Sequence, residues 1–313
     1  MFFGKYISFI SAPDVAGIPQ AADGSPRIIK NYVAFQNQFL AAISETSKSV
    51  SITPITQTNW KTVNFAQPET SLLKSVYFSP DGNSFVVVFS QTLFLCDTVS
   101  TEIISSHTIP AGRNSSFVDL IYKNDFIYAL LHRGGIITLN TKLCKVAECD
   151  FNAESSCFSM YKSNFIVGTK KGGIVILNKT AEKLEKINEF RASACEIEVA
   201  IMTDDVIYVS SRSDTVFWSK DLIPLYSVKN VHRPIFPDVN LEFGVSVVND
   251  PTKECDVLYM HKLVKGSKEE TVRPFQFEID PEILDHPDFT FIENGRMRLI
   301  FGSPQSVYIC YMN

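Results

Sequence analysis

Leu73-Lys-Ser-Val-Tyr-Phe-Ser-Pro-Asp-Gly82 decides the reading of this chain: an alternating run that stops at a Pro-Asp-Gly turn. Phe85-Val-Val-Val-Phe-Ser90 follows as a continuous apolar run, then Thr92-Leu-Phe-Leu-Cys-Asp97 and Glu102-Ile-Ile-Ser-Ser-His107. Period-two alternation, β-branched and aromatic residues and tight polar turns predict four short strands, a to d, joined as hairpins.

Outward from this stretch, the third strand recurs. Similar segments begin near Val50, Thr92, Gly135, Gly173, Thr215, Cys255 and Ser306, at intervals of 42, 43, 38, 42, 40 and 51 residues. Four short strands every forty residues or so are the signature of propeller blades. The same grammar is read in Phe117–Tyr122, Phe126–Leu131, Gly135–Leu139 and Lys145–Cys149, and again from Cys157 and from Ile197. A first blade is read from Tyr32–Phe35, Phe39–Ile43, Val50–Thr53 and Trp60–Phe65. A sixth is read from Val245–Val248, Val257–Met260 and Val272–Phe277. Thr180–Ile187 carries helix formers at helical spacing, yet a strand is preferred because blade 4 otherwise lacks its fourth. Asp280-Pro-Glu-Ile-Leu284 reads as one helical turn, with an N-cap followed by proline.

The last blade offers only Phe289–Ile292, Met297–Phe301 and Val307–Cys310, while Tyr6–Ile10 is a strand with no blade of its own. Placing it beside the terminal strand solves both problems. The expectation is an all-β fold: a single seven-bladed propeller of four-stranded antiparallel blades. It occupies residues 1–313 as one domain, with blade 7 made by about 288–313 plus the N-terminal strand at 4–12.

Composition agrees. With 45% hydrophobic and 12% aromatic residues, the 313-residue chain has material for a large core. No apolar run approaches the roughly 18–20 residues that span a bilayer. The seven cysteines show no CxxC spacing, which disfavours a disulfide framework or zinc site and points to a reducing compartment, cytoplasm or nucleus.

At Val76-Tyr-Phe-Ser-Pro-Asp-Gly82 and Leu93-Phe-Leu-Cys-Asp97 the chain resembles the WD40-repeat family. That family's first turn is often Ser-Pro-Asp-Gly, and its third strand often ends in Trp-Asp. Cys96-Asp97, Leu139-Asn140 and Leu177-Asn178 stand at the comparable positions. No Gly-His and no Trp-Asp occurs, so the hydrogen-bonded tetrad those residues build in the family is absent or replaced. The resemblance implies a docking platform: a subunit of a larger, eukaryotic-type multiprotein assembly whose partners are other protein subunits.

The residues themselves offer no chemistry. There is no Gly-x-Ser-x-Gly elbow, phosphate-binding glycine loop or His-Glu-x-x-His, and the five histidines are isolated from one another in sequence. No catalytic residue, metal site or cofactor is assigned, and the glycines of His132-Arg-Gly-Gly135 and Lys170-Lys-Gly-Gly173 are read as hairpin turns. One charge pattern stands out in a chain of net charge −5. In a propeller the b–c turns and d–a loops share one face, and this parse gives that face Arg113, Arg133, Lys170, Lys171, Arg191, Arg212 and Arg233. Phe236, in Val231-His-Arg-Pro-Ile-Phe-Pro237, is a candidate apolar anchor at the rim, while Asp280, Glu282, Asp285 and Asp288 cluster in the last long loop.

Charged residues also populate any solvated turn. The functional reading is an electropositive surface for an acidic segment of a protein partner. The alternative is direct binding of an anionic ligand, whether RNA, a phosphoinositide or a phosphopeptide, by a basic sector over blades 3–5. A pI near 5.6 places nucleic acid second.

Overall fold

The computed structural model describes residues 7–11, 28–30, 39–44, 48–54, 59–110, 116–180, 183–229, 234–237, 241, 243–250, 255–263, 297–302 and 307–312. These residues form strands, turns and irregular connections, and no helix among them is long and apolar enough to cross a membrane. The chain divides into two compact units.

The first unit comprises Met1–Ser106, Asp250–Asp256 and Glu278–Asn313. Strand β1 (Ile7–Ser11) opens it. Strands β2 (Ile28–Lys30), β3 (Phe39–Ser44), β4 (Ser49–Pro54) and β5 (Lys61–Asn64) make one antiparallel sheet in sequence order. Strands β6 (Leu73–Phe78), β7 (Ser84–Phe89), β8 (Thr92–Asp97) and β9 (Ile103–Thr108) make the next. The expected first strand at Tyr32–Phe35 lies outside the described residues, and Ile28–Lys30 fills that role by pairing with Ile43 to Ala41.

The deciding stretch folds for reasons visible in its side chains. Asp81 accepts hydrogen bonds from Ser79 Oγ (2.5 Å), Asn83 N (3.1 Å) and Asn83 Nδ2 (2.8 Å), closing the turn. The Ser79 hydroxyl, followed by the Asn83 amide, holds the Asp81 carboxyl below its ordinary pKa. Strand β7 is buried along Phe85–Phe89 on both of its faces, whereas β9 exposes Ile103 and Ile104. Burial therefore falls from β7 in the middle of this sheet to its last strand, β9. The core of this unit interleaves Ile43, Val50 and Phe65 with Val76, Phe85 and Phe89.

The second unit comprises His107–Asn249 and Val257–Phe277. Three four-stranded sheets follow in sequence order. The first holds β10 (Phe117–Lys123), β11 (Phe126–Leu131), β12 (Gly135–Asn140) and β13 (Lys145–Asp150). The second holds β14 (Ser155–Tyr161), β15 (Asn164–Thr169), β16 (Gly173–Lys179) and β17 (Leu184–Arg191). The third holds β18 (Ile197–Met202), β19 (Val206–Ser211), β20 (Asp214–Ser219) and β21 (Pro224–Lys229). The segment with helical spacing is thus strand: β17 pairs with β16 from Gly173↔Arg191 to Lys179↔Leu184. A sheet edge that needs a fourth strand overrides a weak local helix preference.

Strands β22 (Phe236–Pro237), β23 (Phe243–Asp250) and β24 (Cys255–Lys262) form a three-stranded sheet. Strands β25 (Met297–Gly302) and β26 (Val307–Met312) return to the first unit, where β26 lies between β25 and β1. Ile7 stands opposite Met312, and Ser11 opposite Tyr308. Val272–Phe277, the Asp280–Leu284 turn and Phe289–Ile292 lie outside the described residues.

The third strands of the repeat are β4, β8, β12, β16, β20, β24 and β26, each beginning within one residue of the start read from the period. Residues closing those strands organise the next turn. Asp97 Oδ1 accepts from Val99 N (2.8 Å) and Ser100 N (2.6 Å), and Asn140 Oδ1 accepts from Lys142 N and Cys144 N (both 2.9 Å). An Asx side chain here substitutes for backbone partners that a tight turn cannot supply.

Candidate functional site

Two glycine turns border a site in the second unit. Gly134 and Gly172 have φ of 86° and 80°. A Cβ on Gly134 would overlap the backbone of Ala153, and one on Gly172 would overlap the carbonyl of Ser193. Glycine is required at both places because the chain leaving the sheet's last strand packs directly on the turn. Phe151 N donates to Gly134 O (2.9 Å), and Ala192 N and Ser193 N donate to Gly172 O (2.9 and 3.0 Å). Lys170 N donates to Glu154 O (2.8 Å), linking the β15–β16 turn to the loop that precedes β14.

This stitching brings four of the expected basic residues to one depression of about 960 Å³. Arg133 enters from the β11–β12 turn, Lys170 and Lys171 from the β15–β16 turn, and Arg191 from the end of β17. All four are exposed, and none forms an ion pair with a described residue. Arg191 Nε donates instead to Ser193 O (3.3 Å). Two carboxylates share the lining, Glu154 and Glu189, and Glu189 is already held by Lys186 at 2.9 Å. The result is a local excess of positive charge on a chain of net charge −5.

The other expected residues fall elsewhere. Arg212 is exposed in the β19–β20 turn, with its Nε 2.9 Å from Glu198 Oε1, and does not line the depression. Phe236 lies in β22, half-buried, opposite Val245. Its neighbour Ile235 is fully buried, accepting from Tyr208 OH (2.7 Å) and donating to Ser210 Oγ (2.9 Å). Arg113, Arg233 and the acidic group Asp280, Glu282, Asp285 and Asp288 lie outside the described residues.

Sequence reasoning missed the rest of the lining, Ala153, Ala194 and Phe190, the last of which shares the opposite sheet face with Ile174 and packs its ring against Trp218. Phe190 sits in the stretch of β17 beyond the ambiguous helix-or-strand segment, so no register had been assigned to it. It also missed a carboxylate that ties the loop after β17 to the β19–β20 turn. The Asp214 carboxylate accepts from Ser211 Oγ (2.5 Å), Ser193 Oγ (2.8 Å) and Ser213 Oγ (2.9 Å). Burial pushes the Asp214 carboxyl up, but the three serine hydroxyls outweigh it and leave the group below its ordinary pKa. Among the described residues no cluster of His, Cys, Asp and Glu has the makings of a metal site.

No protein-family model and no curated protein sequence matches the chain. Among solved structures it is similar to the C-terminal WD40 domain of Sif2, at 13% sequence identity and a TM-score of 0.60. That match covers 93% of this chain and 99% of the Sif2 domain. Together with the repeated four-stranded antiparallel sheets, it makes the fold a diverged WD40-like β-propeller.

Proposed function

We propose that this WD40-like chain is a non-enzymatic docking module of a larger protein assembly. Its basic depression, built by the sheets β10–β13 and β14–β17, takes an acidic segment of a partner protein. One observation carries the reading: Arg133, Lys170, Lys171 and Arg191 converge on a single depression without ion-pair partners among the described residues. Four like charges held together repel one another, and the folded chain tolerates this because water solvates them; an anionic ligand relieves that repulsion on binding. The expected basic sector over blades 3–5 narrows accordingly to blades 3 and 4, because Glu198 already neutralises Arg212.

Titration of the full chain with a fluorescent Asp/Glu-rich peptide tests the reading. Binding is expected at low salt, weakened steeply toward 0.5 M salt, where screening acts over only a few ångströms. The double variant Arg133→Glu, Lys171→Glu is expected to lower affinity at least about tenfold. Peptide binding that ignores both salt and the double variant refutes the site. Phosphoinositide vesicles and single-stranded RNA serve as competing probes, and tighter binding of either favours the anionic-ligand alternative.

A further inference from the structure

We infer that the outer strands β13 and β17 form a self-complementary surface through which a second copy of this chain binds. The inference does not depend on the acidic-segment reading. In three successive sheets the register of the last strand skips one residue at the same place. Leu139↔Lys145 is followed by Thr138↔Ala147, Leu177↔Lys186 by Ile176↔Asn188, and Trp218↔Pro224 by Phe217↔Tyr226. The residue left over is aliphatic each time: Val146, Ile187 and Leu225, with exposures of 57%, 56% and 45%. A bulge repeated at one register position is a feature of the fold, and a large apolar side chain left in water at each is not random scatter.

The flanking charges name the occupant. Lys145 precedes Val146, and its Nζ lies 2.6 Å from Glu148 Oε2; Lys186 precedes Ile187, and its Nζ lies 2.9 Å from Glu189 Oε2. β13 neighbours β17, and each presents a cation, an aliphatic side chain and an anion in that order, with no net charge. Such a strip is its own complement. Turned by 180° about an axis through the aliphatic residue, it sets lysine against glutamate and aliphatic against aliphatic. A polyanion or a polycation meets a like charge at one end. β21 has Pro224 and Ser227 at the two charged positions, which confines the surface to β13 and β17. Strand addition is barred, because a bulge breaks the regular hydrogen-bond spacing that an incoming strand needs. The copies therefore meet through side chains, over a small area, and exchange reversibly.

Sedimentation velocity of the full chain over a wide concentration range tests this. A reversible monomer–dimer equilibrium is expected, weakened by added salt, which screens exposed pairs. Val146→Asp with Ile187→Asp places like charges at the centre of the contact and is expected to raise the dissociation constant at least about tenfold. Both positions are exposed, so the substitutions leave the core untouched. A charge exchange gives a second measurement. The chain with Lys145→Glu and Lys186→Glu, and the chain with Glu148→Lys and Glu189→Lys, are each expected to stay monomeric, and their mixture to form dimers. A native chain monomeric at every concentration overturns the inference, as does a dimer that ignores both the aspartates and the charge exchange. A monomeric chain that instead binds a labelled amphipathic helical peptide gives the surface to a foreign helix and likewise overturns it. Each of these outcomes leaves the docking reading standing, whose test is peptide binding in the depression.

Discussion

At Gly172 the backbone holds φ near 80° within hydrogen-bonding reach of Ala192 and Ser193. Two constraints coincide: the left-handed backbone conformation and the absence of room for a Cβ against the Ser193 carbonyl. Gly172→Ala is expected to cost at least ~1–3 kcal/mol from backbone strain alone, with the overlap adding to it. Urea unfolding of the variant checks this; an unchanged midpoint contradicts it. The adjoining Lys170 and Lys171 are free to vary without that cost, which is why a turn this constrained can still carry the site's charge. Spacing showed these glycines as turn formers, but only the fold shows that the following loop lies on top of them.

Between elements, the buried pair Ser246–His261 joins β23 to β24, with Ser246 Oγ and His261 Nε2 2.7 Å apart. His261 is 6% exposed, and burial pushes its pKa down to about 4. The unfolded chain takes up a proton near pH 6.5 that the folded chain refuses until about pH 4. Stability from this group is therefore complete above pH 6.5 and lost as the pH falls toward 4, by about 3 kcal/mol in all. Burial lowers the pKa of His107 in the same direction. The informative measurement is thus the difference in unfolding free energy between the native chain and His261→Gln across pH 7 to 4. A difference that stays constant with pH removes His261 as the cause. Strand identity was legible here from β-branched runs, whereas the pairing of a serine with a histidine 15 residues away followed from register.

At the scale of the molecule, the antiparallel pairing of β1 with β26 is a contact between the two ends of the chain, inside the first unit. Deleting residues 1–12 removes the partner of β26 and leaves a sheet edge open to other chains. The deletion is expected to broaden or abolish cooperative unfolding and to promote aggregation, read by circular dichroism melts and light scattering. A sharp transition at the native temperature, with no scattering, contradicts the expectation. The pairing could be anticipated because Tyr6–Ile10 was a strand without a sheet and the last repeat was a strand short. The depression could be anticipated only in part. Charges in turns are visible in a sequence, yet that Arg212 meets the Glu198 carboxylate while Arg191 donates to the Ser193 carbonyl depends on where those partners come to lie.

By itself the sequence determined the repeat, the strand type of nearly every described segment and the turns between them, because these follow from contacts within about forty residues. Tertiary structure alone decided which basic residues meet and that Asp214 gathers three serines. The reason is physical: hydrophobic alternation and turn chemistry are local, while charge excess and a ligand-shaped surface are sums over residues that only packing makes neighbours.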